Sequence, residues 1–278
     1  MPVRRCSVTA VISYSLLVVA SVFALFPIFW MVSVSFRPNV DIFRSPIQFL
    51  PLHPTTDAYV HIFRNHPLLR ALANSYMVAL AVTLLSLVLA VLAAYSFSRF
   101  DFHGNRILQM FIIGTQMIPP IALVVPYFIM IVTLKLYDTY QGLVATYTSF
   151  VLPFATLMLT SYFNTIPTEL EEAAMVDGCS RLGSMVRIVL PNVLPGLVAT
   201  GVYAFLLAWN EFLFAVVLTR GAAVRMITVA IAMLMGEHAY EWNVMMGLSI
   251  LASVPLMVAF LFLQRYLVSG LTVGAVKG

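Results

Sequence analysis

Residues 71–98 read ALANSYMVALAVTLLSLVLAVLAAYSFS and contain no Asp, Glu, Lys or Arg. A helix needs roughly 20 apolar residues to cross the hydrocarbon core of a bilayer, so this run is long enough for one span. Every backbone polar group must be bonded within the protein in lipid, and a continuous apolar run satisfies this requirement as a helix. The stretch therefore predicts a transmembrane helix over 72–97.

Five further runs lack Asp, Glu, Lys and Arg, and they cover residues 6–36, 107–134, 139–168, 188–210 and 242–264. The composition agrees, because 62% of the 278 residues are apolar and only 9% are charged, against about 25% charged in soluble domains. We predict an all-α integral membrane protein, a single transmembrane domain over 1–278. Its six transmembrane helices are expected at about 11–34, 72–97, 107–133, 141–162, 196–218 and 244–265.

Basic residues near the span ends orient the chain by the positive-inside rule. Arg4 and Arg5 precede the first span, and Arg99 and Arg106 flank a very short loop, so both termini are predicted to be cytoplasmic. The first run is longer than the core of a signal peptide, which has about 7–15 apolar residues, so we expect it to be retained. The sequence thus predicts a multi-pass protein of the cell membrane, inner or plasma.

Prolines interrupt two parts of this plan. Pro119-Pro120 and Pro126 predict a third span that is broken or kinked near its middle, which suits either a helix lining a cavity or a simple packing kink. The segment 35–70 contains five prolines, and its early part cannot be regular helix. After Thr56 its apolar spacing predicts a short amphipathic helix on the outer surface.

The polar segment 163–195 carries the signals of a short helix. Thr168 and Glu171 have the spacing of a capping box, which predicts a helix over Glu169–Asp177. Gly178 is placed to end this helix, because a left-handed backbone is cheap only for glycine.

A second helix is predicted to follow at once. Ser180 can cap a helix over Arg181–Val189, which Pro191 and Pro195 then end before the fifth span. The first helix is acidic and has small residues on one face. A helix of that kind suits a socket on a soluble partner protein, so we interpret the segment as a cytoplasmic docking loop.

A motif in this segment resembles the EAA loop of binding-protein-dependent ABC importer permeases. It consists of Glu172-Ala173-Ala174, Gly178, Ile188 and Leu190-Pro191, which are seven fixed residues over 20 positions. Residues 208–212 (AWNEF) are similar to the fifth span of carbohydrate importers, and Gly270–Gly278 resembles the tail of the maltose-type inner-membrane subunit; Asn74-Ser75 also fits. The whole chain is similar to the smaller permease of the maltose-type pair.

The resemblance implies roles for several residues. The EAA loop would be a coupling helix held in a cleft of a cytoplasmic ATPase dimer, with Glu172 paired to a basic residue there. The expected coupling residues are Glu171, Glu172, Ala173, Ala174, Asp177, Gly178, Ile188, Leu190 and Pro191. The tail residues expected to reach the ATPase are Gly274, Ala275, Val276, Lys277 and Gly278. A second permease subunit, an extracytoplasmic sugar-binding protein and a sugar substrate are the other expected partners.

The sequence lacks the Gly-x-x-x-x-Gly-Lys-Ser/Thr loop that cradles phosphates. We therefore expect no enzyme activity and no cofactor in this chain, with ATP and Mg²⁺ bound by the partner ATPase. Cys6 and Cys179 are far apart and the histidines lack zinc-ligand spacing, so no metal site is predicted. The net charge of +4 is dispersed, which does not favour nucleic acid as a partner.

Glu211 is the only acidic residue inside a predicted span. A carboxylate in the membrane usually faces the bundle interior or water. We interpret Trp209, Asn210 and Glu211 as candidates for the sugar pathway, together with Gln116 beside the break in span three. The alternative for Glu211 and Gln116 is a structural hydrogen bond. Tyr95, Tyr147 and Tyr203 could stack on sugars, but their spacing is more typical of packing residues.

Other functions would make different demands on the sequence. An importer of glycerol 3-phosphate or its diesters is a close alternative, although such a substrate would favour arginine facing the cavity. A secondary transporter would need inverted repeats and more buried ionisable residues. A membrane enzyme would need a catalytic constellation at the membrane face. The sequence therefore favours a permease subunit of an ATP-driven sugar importer.

Overall fold

The computed structural model describes residues 8–46, 48–236 and 240–275, with the backbone alone at 8, 9, 11 and 265–275. The described chain is helical, and no strand occurs in it beyond an isolated bridge between Met235 and Tyr240. The helices are α1 (Val8–Ser35), α2 (Asp57–Arg64), α3 (His66–Arg99), α4 (Asn105–Gln116), α5 (Pro120–Thr133), α6 (Tyr140–Phe163), α7 (Glu169–Val176), α8 (Arg181–Ser184), α9 (Leu190–Asn192), α10 (Leu194–Trp209), α11 (Leu213–Leu218), α12 (Ile227–Met233) and α13 (Trp242–Ala275).

Four helices in the described chain, α1, α3, α6 and α13, are long and apolar enough to cross a membrane. Two bent pairs raise the number to as many as six. They are α4 with α5, bent by 99°, and the segment Arg181–Asn192 with α10, bent by 79°. The all-α membrane class is confirmed, and the predicted first, second, fourth and sixth spans each lie within one helix.

The predicted break in the third span is confirmed. Helix α4 ends at Gln116 and α5 begins at Pro120, with Pro119 in extended backbone at its N-terminal cap. Proline suits the first position of a helix because its missing N–H needs no partner there. A bend of 99° is a change of direction, larger than a packing kink.

The predicted continuous span over 196–218 is wrong. Helix α10 ends at Trp209 and α11 begins at Leu213, without a proline or glycine between them. The side-chain amide of Asn210 donates to the Leu206 carbonyl at 2.8 Å, and the Glu211 carboxylate accepts from the Phe214 N–H at 2.8 Å. Polar side chains that bond nearby backbone compete with the helical ladder, which accounts for the break.

The chain divides into two compact units. The first comprises residues 1–66 and 231–254. In its described part, α2 confirms the predicted amphipathic helix, with Ile62 fully buried. The Ser35 and Tyr59 hydroxyls lie 2.9 Å apart, and the Asn39 amide donates to the Tyr240 carbonyl at 2.7 Å. These contacts join the end of α1 to α2, and the segment after α1 to the residues before α13.

The second unit comprises residues 67–230 and 255–278. A buried cluster joins α3 and α6 to the segment before α10, and its members are Ala90, Val91, Ala94, Tyr95, Ala155, Leu159, Phe163, Met185, Val189 and Val193. Small residues let membrane helices approach closely. Because Met185 and Val189 belong to this cluster, the polar segment after α6 is packed onto the membrane helices.

Candidate functional site

Helix α7 is the first helix of the predicted docking loop, and its local structure follows from the sequence. Three acidic residues, Glu169, Glu171 and Glu172, lie in its first turn, where the positive end of the helix dipole stabilises them. The helix ends at Val176, and Gly178 has a φ of 89°. The predicted left-handed stop at Gly178 is confirmed.

The predicted capping box is wrong. The Thr168 side chain makes no cap hydrogen bond. The Glu171 carboxylate instead accepts from Arg99 Nε and, at 2.8 Å, from the Tyr95 hydroxyl. Arg99 Nη2 also donates to the Ile166 carbonyl at 2.9 Å. A buried partner on α3 outcompetes the local cap because Glu171 is only 5% exposed and its charge needs a counter-charge.

The second helix of the loop differs from the prediction over Arg181–Val189. Ser180 does cap it, accepting from the Gly183 N–H at 3.1 Å. However, α8 gives way to a π-helical turn at Met185–Val189, and helical backbone continues through Pro191 to Asn192. Proline normally blocks an α-helix through its ring and missing N–H, and the wider π turn just before it accommodates both.

The EAA residues divide into two sets. Glu172, Ala173, Asp177, Gly178 and Pro191 are exposed, whereas Glu171 and Ala174 are buried and Ile188 and Leu190 are half-buried. Apolar side chains accompany the exposed set, including Val176 at 88% exposed and Leu182 at 64%. We call the exposed residues Leu170, Glu172, Ala173, Val176, Leu182 and Val186 the docking surface. The docking surface combines acidic and apolar groups on a short segment. Buried residues of the same segment, Glu171 and Ala174, attach it to the rest of the protein.

The predicted contact of the tail with an ATPase falls largely outside the described residues. Gly274 and Ala275 are described by backbone alone, as the last residues of α13. Val276, Lys277 and Gly278 are not among the described residues. The role of the tail therefore stays a prediction.

A cavity of about 430 Å³ lies within the second unit. It brings together two sequence-predicted residues, Gln116 at the end of α4 and Glu211 in the break between α10 and α11. The other two candidates, Trp209 and Asn210, do not line this cavity. Trp209 is buried beside Tyr76 and Phe205, and the Asn210 amide bonds the Leu206 carbonyl. The Glu211 carboxylate both caps α11 and lines the cavity.

The cavity also contains functional candidates that sequence reasoning missed or treated as packing. Its wall carries six aromatic rings, and these are Tyr127, Tyr147, Phe150, Phe154, Tyr203 and Phe214. They come from α5, α6, α10 and α11, so only the tertiary structure brings them to one place. Among the described residues, no Lys, Arg or His lines the cavity.

These features define a multi-pass helical membrane protein whose polar loop is packed onto its membrane helices. Residues 86–273 match the family described as binding-protein-dependent transport system inner membrane component. The chain belongs to this family, and it is an ABC importer permease.

Curated relatives cover nearly the whole chain. It is 37% identical to the sulfoquinovosyl glycerol transport system permease protein SmoH of Agrobacterium fabrum, over 91% of this chain and 89% of the relative. It is also 37% identical to the trehalose/maltose transport system permease protein MalG of Thermococcus litoralis, over 94% of each. The trehalose transport system permease protein SugB of Mycobacterium tuberculosis is 36% identical, over 92% of this chain and 93% of SugB.

A solved structure has the same fold. A chain of a bacterial ABC transporter involved in the import of the acidic polysaccharide alginate superimposes with a TM-score of 0.82, at 21% identity, over 96% of this chain and 99% of that one. This likeness agrees with the helical membrane class predicted from the sequence.

Proposed function

We propose that this chain is one of two permease subunits of an ATP-driven sugar importer in the inner or plasma membrane, with both termini cytoplasmic. The names of its relatives support sugar as the cargo, because they include trehalose, maltose and sulfoquinovosyl glycerol. An importer of glycerol phosphates is a narrower alternative. The absence of Lys, Arg and His from the cavity lining disfavours it.

The docking surface is proposed to seat in a cleft of a cytoplasmic ATPase. The observation that carries this proposal is the contrast within α7, where Val176 is 88% exposed while its neighbour Ala174 is buried. Val176 is one of several exposed apolar residues of the docking surface, with Leu170, Leu182 and Val186, and a group of exposed apolar side chains supports an interaction site. Glu172 and Asp177 would meet basic residues of the ATPase, which would bind ATP and Mg²⁺. The tail residues Gly274–Gly278 are proposed to reach the same partner.

The anchor behind α7 suggests how movement is transmitted. Coupling between distant sites needs a packed element that has two arrangements. Helix α7 is joined to the end of α3 through Glu171 and Arg99, and the segment after it is packed against α3 and α6. ATPase closure would therefore move α7 together with the membrane helices. Gln116 and Glu211 are proposed to face the sugar pathway that these helices open, and an external binding protein would deliver the sugar.

The proposal is tested by purifying the tagged chain from its native membrane in mild detergent and identifying the proteins that accompany it. We expect a second permease and an ATPase, with ATP-dependent uptake of a sugar by vesicles that contain the complex and its binding protein. Recovery of the chain alone, together with vesicles that import no sugar under any tested condition, would overturn the proposal. A matched purification with Gly178→Asp should retain the chain in the membrane and lose the uptake.

A further inference from the structure

The second half of the docking loop makes its own contact with the end of α3. Arg181, the first residue of α8, holds its guanidinium carbon Cζ 4.9 Å from the centroid of the Phe100 ring. Phe100 directly follows α3, and its ring also packs edge-on against Tyr95, with the centroids 6.1 Å apart. A guanidinium over an aromatic face is attracted by the negative potential of the ring. The loop therefore meets this end of α3 twice, once through each of its two helices.

The two contacts differ in how firmly they hold the loop. The side chains of Glu171 and Arg99 are 6% and 7% exposed. Such a buried ion pair is costly to break, because each charge would lose its counter-charge. Arg181 is exposed and Phe100 is 38% exposed. A cation–π contact at an exposed site is weak, so the α7 contact is a lasting attachment, whereas the α8 contact can open and re-form during a transport cycle.

Phe100 is also joined to α4 through its main chain. The side-chain amide of Asn105, the first residue of α4, donates to the Phe100 carbonyl at 3.0 Å and to the Phe97 carbonyl at 3.1 Å. The structure describes every residue of α4, and none of them is buried within this chain. An element with few buried contacts moves more easily than a packed one. A movement of Phe100 is therefore passed to α4, whose last residue, Gln116, lines the cavity.

These contacts divide the loop into a fixed half and a transmitting half. We propose that Arg181 and Phe100 are positioning residues for coupling, and that their contact carries the movement of the docking loop to α4. Coupling needs an element with two arrangements, and the exposed contact, made or broken, supplies them. Helix α4 is the first half of the bent pair with α5, so the loop acts on one side of that bend. This inference rests on the proposed docking of the loop to an ATPase, and it adds the residues through which movement leaves the loop.

The test measures the sugar taken up for each ATP hydrolysed. The purified importer complex, with its ATPase, is placed in proteoliposomes with the binding protein, and the probes are radiolabelled trehalose and maltose. Arg181→Gln and Phe100→Leu should each lower the uptake per ATP by about twofold to fivefold, the effect of one exposed cation–π contact. The ATPase should stay in the complex. Because both variants remove the same contact, the double variant should lose no more than either single variant.

Two further variants separate this contact from other effects. Arg187→Gln is the matched control, because it removes an exposed arginine from the same loop, and it should couple as the wild type does. Phe100→Trp keeps an aromatic face for the guanidinium, so it should also couple as the wild type does. A merely structural loss would lower the melting temperature and would leave the ratio of uptake to hydrolysis unchanged.

A distance measurement tests the same link without a sugar. One spin label is attached to Cys179 in the docking loop and another to Ile107→Cys on α4, in a Cys6→Ser background. Without further changes, the labelled complex should show one narrow distance that the non-hydrolysable ATP analogue AMP-PNP leaves unchanged, because the loop and α4 move together. When Phe100→Leu is added, AMP-PNP should shift or broaden this distance.

Three results would each overturn the inference. They are coupling by Arg181→Gln and Phe100→Leu equal to that of Arg187→Gln, losses that multiply in the double variant, and a label distance that Phe100→Leu does not affect. Sugar uptake and a retained ATPase in the wild type would then show that the importer assignment survives. Loss of the ATPase from the wild-type complex, together with absent uptake, would instead overturn the assignment and the inference with it.

Discussion

Glu171 of α7 forms an ion pair with Arg99, the last residue of α3, and both side chains are almost completely buried. The adjacent Glu172 is exposed. Two neighbouring carboxylates of one motif therefore point to different environments. Glu171 attaches the docking loop to a membrane helix, and Glu172 is available to a partner.

Loss of one member of the buried pair should destabilise the protein. Arg99→Met leaves Glu171 buried without its cation, and breaking a buried pair typically costs about 3–5 kcal/mol. The double variant Arg99→Met with Glu171→Met should recover part of this loss, because no charge remains unpaired. Thermal unfolding in detergent measures the stability of the single variant and of the double variant. Equal stability of the single variant and the wild type would mean that the pair does not form.

Glu172→Gln should leave stability unchanged and weaken association with the ATPase. Glu172 is exposed, so removing its charge leaves no buried group without a partner. Glu169→Gln is the matched control, since it removes an exposed charge from the same first turn. Retention of the ATPase during purification is the readout. Equal loss in both variants would point to the general charge of α7 and away from a specific role of Glu172.

Gly178→Ala should impair coupling through backbone strain alone. A Cβ at this position meets no atom within 4 Å, but its φ of 89° is left-handed and costs an L-residue about 1–2 kcal/mol. Gly104→Ala is the matched control, because Gly104 has a φ of 97° and equally open surroundings in another loop. ATP-dependent uptake should fall for Gly178→Ala only. Similar uptake by the two variants would contradict a role of Gly178 in coupling.

Gly196→Ala should destabilise the second unit. An added Cβ would collide with the ring of Tyr162, which packs against this position of α10. Overpacking of this kind costs about 1–3 kcal/mol. Gly114→Ala, on α4 with nothing within 4 Å, is the control and should be neutral or slightly stabilising. The melting temperatures of the two variants decide whether α10 approaches α6 as closely as the structure has it.

Local signals in the sequence predicted local structure well. Gly178 ended α7 and Ser180 capped α8, because each effect depends on residues within one turn. The capping box failed because the partner of Glu171 lies on α3, 72 positions away. The break after Trp209 was missed because no proline or glycine marks it. Composition gave no sign that Tyr147 and Glu211 line one cavity, since α6 and the break after α10 meet only in the tertiary structure.

The most direct test of the proposed coupling is photo-crosslinking from the docking surface in native membranes. A benzophenone amino acid is placed at Val176, and in a control at Leu134, which is 59% exposed and directly follows α5, before α6 begins. We expect Val176 to capture an ATPase subunit and Leu134 to capture none. Failure of Val176 to capture any nucleotide-binding protein, in membranes where the complex imports sugar, would contradict the role assigned to this loop.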